Sequence, residues 1–132
     1  MVIDTSALLA VLFAEPEAEE LALRMADAPI LLLSAATQLE ALLVAEGSRF
    51  GAASEAVESL CHALNIQVIP FDRNHLLWAL RGWREFGKGR HQAGLNLGDC
   101  FSYGLARAMN MPLLYKGNAF GLTDVLPVDP PR

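Results

Sequence analysis

The chain has 132 residues, 53% of them apolar and 19% charged, and a formal net charge of −5 at pH 7. This composition excludes intrinsic disorder, and the length is enough for a hydrophobic core without disulfide or metal staples, in a single domain over 1–132. No apolar run reaches the length of a membrane-spanning helix, and the acidic balance argues against a protein that coats DNA by charge alone.

Val2 and Ile3 read as a short apolar strand, and residues 5–13 as a helix. Pro16 suits the first turn of a second helix, favoured by Glu17, Glu19 and Glu20 at its positive end and broken by Pro29 after about residue 27. Residues 30–33 are a buried strand. Ser34 can cap a helix over 35–46 that ends near Gly47. Residues 52–64 form an amphipathic helix with Val57, Leu60, Cys61 and Leu64 on one face. Residues 67–69 are a third strand, and Asp72 caps a helix over about 73–85. Gly87, Gly89 and Gly94 mark a mobile loop. A helix runs from Asp99 to about Asn110, and Pro112 precedes a strand over 113–115. Gly117 and Asn118 turn the chain, and Val125 and Leu126 suggest a last short strand. Helices alternate with strands throughout, which predicts an α/β fold whose parallel sheet is covered on both faces.

Three acids stand apart from the solvated ones. Asp4 directly follows the first strand, where open α/β sheets bind ligands, though it also suits a helix N-cap. Glu40 has Ala36, Thr37, Leu43 and Val44 at helical spacing and no Lys or Arg among them, so its carboxylate, if desolvated on that face, wants a cation or a proton, the alternative being an exposed Glu on a two-sided helix. Asp99 opens the helix that begins near it and is itself a cap candidate. Carboxylates brought together repel unless a metal neutralises them, and hard oxygen donors suit Mg²⁺ or Mn²⁺. His62, His75 and His91 show no ligand spacing. Cys61 and Cys100 read as small buried hydrophobes. Ser6 and Ser102 lack a partner histidine in sequence for nucleophilic chemistry.

The opening MVIDTSALLAVLFAEPEAE, the segment SAATQLEA, the run AGLNLGDCFSYGLA and the close LLYKGNAFGLTDV occur in this order. In these four pieces the chain resembles the PIN-domain ribonucleases, specifically the VapC toxins of toxin–antitoxin pairs. The resemblance implies a Rossmann-like, three-layer α/β/α fold with a mostly parallel sheet. It also implies a metal-dependent endoribonuclease using Mg²⁺ or Mn²⁺, usually a homodimer and silenced by a VapB-type antitoxin. The matched acids are Asp4, Glu40 and Asp99, the first and last as principal metal ligands and Glu40 as a ligand directly or through water that helps to orient the attacking water. Ser6 matches the hydroxyl residue that supports the first Asp. One departure stands out: the turn that should carry a fourth acid reads Gly117-Asn118-Ala119 and holds no carboxylate. Asn118 offers a carbonyl oxygen only, and the nearby Asp124 matches a structural position. Whether Ala119 is natural or an engineered disabling change stays open, so the activity of this exact chain is separate from that of the family.

RNA needs positive charge near such a centre. Five of the ten basic residues, Arg73, Arg81, Arg84, Lys88 and Arg90, fall between 73 and 90, with Trp78, Trp83 and Phe86 interleaved. They are candidates to grip phosphates and stack a base, with Lys116 beside the proposed site. An ordinary amphipathic helix with core aromatics competes, and is favoured for Trp78. Transfer and ribosomal RNA are both plausible substrates. The antitoxin is expected over apolar grooves of the early helices, about 7–25 and 50–64, with Leu8, Leu12 and Phe13 as candidate contacts. No basic segment precedes Val2, so no signal peptide is expected and the cytoplasm is the default location. Two rival readings are a binding-only PIN scaffold, which the missing acid favours, and more remotely a phosphorelay receiver, which lacks its acid pair here.

Overall fold

The computed structural model of the chain describes residues 1–47 and 53–129. Four parallel strands, β1 (Val2–Ile3), β2 (Leu32–Ser34), β3 (Gln67–Ile69) and β4 (Leu113–Leu114), lie in the order β3-β2-β1-β4. Helices α1 (Thr5–Leu12) and α2 (Ala18–Asp27) connect β1 to β2. Helices α3 (Ala35–Glu46) and α4 (Ala53–Ala63) connect β2 to β3, and α5 (Arg73–Phe86) and α6 (Leu97–Met109) connect β3 to β4. A short 3₁₀ turn, Phe120–Leu122, follows.

Strand alternation sorts the core into two layers. Ile3, Leu33 and Leu114 face a cluster completed by Leu8, Leu21, Met25, Ala41, Val57 and Cys61 from α1 to α4. Val2, Leu32 and Leu113 face the other cluster, with Ala79 from α5 and Cys100, Tyr103 and Leu105 from α6. Register puts Val2 opposite both Leu32 and Leu113, so each layer is continuous across the sheet. The predicted three-layer α/β/α arrangement is the observed one. Helices α5 and α6 approach closely because Gly104 leaves room for the His75 carbonyl and Ala79, and Gly82 for the Tyr103 ring.

Two local expectations need correction. Residues 125–126 form no strand: a single long backbone contact, Leu113 N–H to Leu126 C=O at 3.4 Å, joins them to β4. Pro127 ends the segment without a donor and β4 offers only two residues to pair with. The glycine segment is tied together at its base. Lys88 donates to the Leu95 carbonyl and Leu95 to that of Phe86, making a bridge between Gly87 and Leu95. Asp99 does not cap α6; Asn96 does. The predicted start of the fourth helix at residue 52 lies outside the described residues.

The chain order places the site. From β1 the connections move outward to β2 and β3, then α5 and α6 return the chain to β4 on the other side of β1. The carboxyl end of β1 is therefore a topological switch point, where the crossing helices diverge and leave a crevice. Among the described residues no helix is long and apolar enough to cross a membrane.

Candidate active site

Asp4 sits at this switch point and is only 3% exposed. It caps α1, since Oδ2 accepts the Ser6 backbone N–H at 3.1 Å and the Ser6 hydroxyl at 2.6 Å. Oδ1 accepts the Ser102 hydroxyl, from α6, at 2.6 Å. The cap reading of Asp4 holds, and the same carboxylate also reaches α6 through Ser102.

Glu40 projects from the middle of α3, half-buried. The Thr5 hydroxyl donates to its Oε1 at 2.5 Å. Its carboxylate lies where a side chain on Gly98 would begin, so it reaches across to the first turn of α6. That turn carries Asp99, whose Oδ2 accepts the Asn96 N–H at 3.0 Å while the Asn96 side chain accepts the Asp99 N–H at 2.9 Å. This reciprocal pair is a capping box, and it orients the Asp99 carboxyl. Burial pushes the Asp99 carboxyl above its ordinary range. The Asn96 N–H pulls it down, and the charges of Asp4 and Glu40 push it up further.

The three acids come from the N-cap of α1 just after β1, from α3 and from α6, and Asp4 and Glu40 are both near enough to act on the Asp99 charge. Among the described residues no Lys, Arg or His forms an ion pair with any of them. A buried carboxylate without a cation is expensive, and hard carboxylate oxygens of this kind suit a divalent ion such as Mg²⁺ or Mn²⁺. The donor chemistry fits. The arrangement is not a closed cage, because among the described residues no three His, Cys, Asp or Glu side chains stand close enough to hold a metal. Each acid has at least one oxygen committed to the protein: Asp4 to Ser6 and Ser102, Glu40 to Thr5, Asp99 to Asn96.

Ser6 stands where the sequence put it. Its hydroxyl donates to Asp4 and accepts the Lys116 backbone N–H at 3.0 Å, tying the turn after β4 to the site. Asn118 is exposed in that turn, beyond Gly117 at φ +97°. Ala119 is half-buried against the cluster that contains Cys100, Tyr103 and Phe120. Asp124 is structural: it accepts the Tyr103 hydroxyl at 2.7 Å and faces Arg107 at 3.8 Å.

The basic candidates divide. The Lys116 ammonium is engaged by Glu15 at 2.5 Å and Glu17 at 3.4 Å, so it is not poised for phosphate. Arg81 pairs with Glu85 at 3.0 Å. Trp78, expected in the core, is half-buried at the surface between the guanidinium groups of Arg81 and Arg107, 5.1 and 4.9 Å from its ring centre. Arg90 stacks 4.2 Å over the exposed Trp83, while Arg84 and Lys88 are exposed. Trp83 lines a concavity with Leu97, Cys100 and Phe101, so this face of α5 borders the turn that holds Asp99. Leu8 is fully buried, and Leu12 and Phe13 are half-buried against the same core, which removes Leu8 as a surface contact. Burial pushes the Cys100 thiol up to about 11, aided by Asp99, leaving it unreactive.

Sequence reasoning gave no supporting role at the site to four residues, Thr5, Thr37, Gly98 and Ser102, the last weighed only as a nucleophile. Helical spacing carried a signal for two of them, since Thr37 lies three residues before Glu40 and Ser102 three after Asp99. Gly98 carried none, because its role is the space it leaves.

The chain has counterparts among known proteins over nearly its whole length. The family model described as PIN domain matches residues 1–126. The chain is 47% identical over 129 residues to a Ribonuclease VapC of Mycolicibacterium smegmatis, covering 97% of this chain and 99% of that one. It is 43% identical to Ribonuclease VapC30 of Mycobacterium tuberculosis, covering 97% and 98%. Its fold is similar to that of Mycobacterium tuberculosis VapC20, described as a sarcin–ricin loop cleaving toxin, with a TM-score of 0.77, 15% identity and 98% of each chain covered. It is also similar to a chain of a toxin–antitoxin complex from Klebsiella pneumoniae, with a TM-score of 0.67, 18% identity and 93% and 92% coverage. A four-strand parallel sheet with its buried acid after β1, matched over nearly its whole length by such relatives, belongs to the PIN-domain family and within it to the VapC ribonucleases.

Proposed function

We propose that the chain is the toxin of a toxin–antitoxin pair, an endoribonuclease that hydrolyses structured cellular RNA with the help of Mg²⁺ or Mn²⁺. The observation that supports this is that Asp4 and Glu40 both act electrostatically on the half-buried Asp99 beside the switch point, while among the described residues no Lys, Arg or His pairs with any of the three. Asp4 and Asp99 are the principal ligands in this reading. A divalent ion there would acidify an attacking water and screen the charge that develops on the phosphate. The chain's own residues do the rest. Asp4, held by Ser6 and Ser102, presents a fixed anchor. Glu40, whose carboxylate lies over Gly98, is proposed to ligate the ion directly or through water and to help orient the attacking water. The exposed Arg84 and Lys88, with Arg90 stacked on Trp83, are proposed to hold the RNA backbone and a splayed base, while Arg81 and Lys116 contribute less because Glu85 and Glu15 engage them.

The absence of a carboxylate at Ala119 is proposed to weaken this chain's activity, most plainly at a second ion. Transfer and ribosomal RNA are the substrate classes proposed. A VapB-type antitoxin and a second copy of the chain are the proposed partners, in keeping with exposed Leu39, Leu43 and Leu97 near the site. Cleavage of structured RNA with Mn²⁺ tests the reading, run on this chain beside Ala119→Asp and Asp99→Asn. Cleavage by this chain that Asp99→Asn abolishes supports three sufficient acids. Cleavage by Ala119→Asp alone supports a disabled site. Cleavage that survives Asp99→Asn refutes the assignment, and no cleavage of any RNA by any of the three moves the binding-only scaffold ahead.

A further inference from the structure

The Asp4 carboxylate is clamped from both sides by directed chains of hydrogen bonds. On one side the Lys116 backbone N–H donates to the Ser6 hydroxyl, which donates to Oδ2. On the other, the Ser102 hydroxyl donates to Oδ1 at 2.6 Å, and the Thr37 hydroxyl lies 3.3 Å from Ser102 Oγ. Ser102 has a single proton, and the carboxylate can only accept it. Thr37 must therefore be the donor to Ser102. Thr37 and Ser102 are both 0% exposed, on α3 and α6, and nothing in the established family membership assigns either a role.

From this geometry we infer that Ser102 and Thr37 are positioning residues that fix the orientation of the Asp4 carboxylate and so set its affinity for a divalent cation. Two buried hydroxyls in series polarise each other, so the bond reaching Asp4 is stronger than that of a lone serine. The same chain couples the helix carrying Glu40 to the helix carrying Asp99, so the spacing of the three acids depends on it. A sheet-end acid held only by its own turn would be free to rotate about χ2. Here, rotation would break a bond on each side. The inference rests on the reading of Asp4 as a metal ligand.

The test measures Mn²⁺ affinity of the purified full chain by electron paramagnetic resonance, with melting temperatures taken with and without Mn²⁺. Ser102→Ala is expected to weaken Mn²⁺ binding about tenfold, as loss of a residue that orients a ligand commonly does. Thr37→Val, which keeps the shape and removes the donor, weakens it in the same direction by less, and Thr37→Ser restores parent affinity. A merely structural role would lower the melting temperature equally with and without Mn²⁺ and leave the affinity alone; that result, or unchanged affinity in both Ser102→Ala and Thr37→Val, overturns the inference. If Ser102→Ala does not fold, the contrast between Thr37→Val and Thr37→Ser decides. Asp4→Asn separates the two levels. If the parent chain binds no Mn²⁺ that Asp4→Asn removes, the metal reading falls and this inference with it. If it does bind and the hydroxyl variants bind equally well, only this inference falls.

Discussion

Gly98→Ala separates the site from the scaffold more sharply than removing an acid does. A methyl group at residue 98 would occupy the place of the Glu40 carboxylate. The carboxylate is the far end of a flexible side chain, so it yields rather than the backbone. Its withdrawal breaks the 2.5 Å bond from the Thr5 hydroxyl. A hydrogen bond to a charged group contributes roughly 1.5–3 kcal/mol, toward the lower end here because Glu40 is half-buried and regains water. Against this, alanine favours a helix over glycine by about 1 kcal/mol, somewhat less in the first turn. The net change is within about 1–2 kcal/mol, and at roughly 3–5 °C per kcal/mol for a chain of this size the melting temperature moves by less than about 10 °C. Function should respond far more, because a displaced acid misplaces the water it orients, an error of the kind that lowers rates about 10²-fold. Thermal denaturation, Mn²⁺ titration and RNA cleavage on one preparation check this. Undiminished cleavage would show that the reach of Glu40 over Gly98 is irrelevant to the reaction. A melting temperature lower by well over 10 °C would show that the backbone, not Glu40, gives way.

Asp99→Asn is expected to raise the melting temperature of the metal-free protein at pH 7, because the folded state holds this carboxyl above its ordinary range. A group whose folded pKa is raised binds more protons when folded, so stability falls as pH rises through that window, and the penalty is complete above it. The gain of Asp99→Asn should therefore vanish below about pH 4, where the carboxyl is protonated in both states, and Mn²⁺ should reverse the order. Gly104→Ala should destabilise by about 1–3 kcal/mol, since the new methyl would stand 2.7 Å from the His75 carbonyl and 3.1 Å from the Ala79 side chain; a melting curve unchanged within a degree would disprove the close α5–α6 contact. Reversing Lys88 and Arg90 to Glu should weaken RNA binding at low salt and flatten its salt dependence without altering the fold; equal affinity in a filter-binding assay removes this segment from the RNA surface.

Much of this protein was legible in one dimension because the information is local. The apolar pairs Val2-Ile3, Leu32-Leu33 and Leu113-Leu114 need only alternation to supply both core layers, and the caps at Asp4, Ser34 and Asp72 act within three residues. The candidate acids were legible too, because a lone carboxylate at a strand end or on an apolar helix face is costly wherever it folds. What only the tertiary structure decided spans separate elements. The clamp on Asp4 joins α3, α6 and the turn after β4, and no sequence spacing relates Ser102 to Asp4 across 98 positions. Gly98 acts through the side chain it omits, which has meaning only once Glu40 arrives from another helix. Lys116 looked available for phosphate until the α1–α2 turn brought Glu15 and Glu17 to it, and Trp78 looked like core until α6 supplied Arg107. Periodicity tells which face of an element is apolar; which charges and hydroxyls meet across that face is set by packing, and that is where the proposed chemistry of this chain resides.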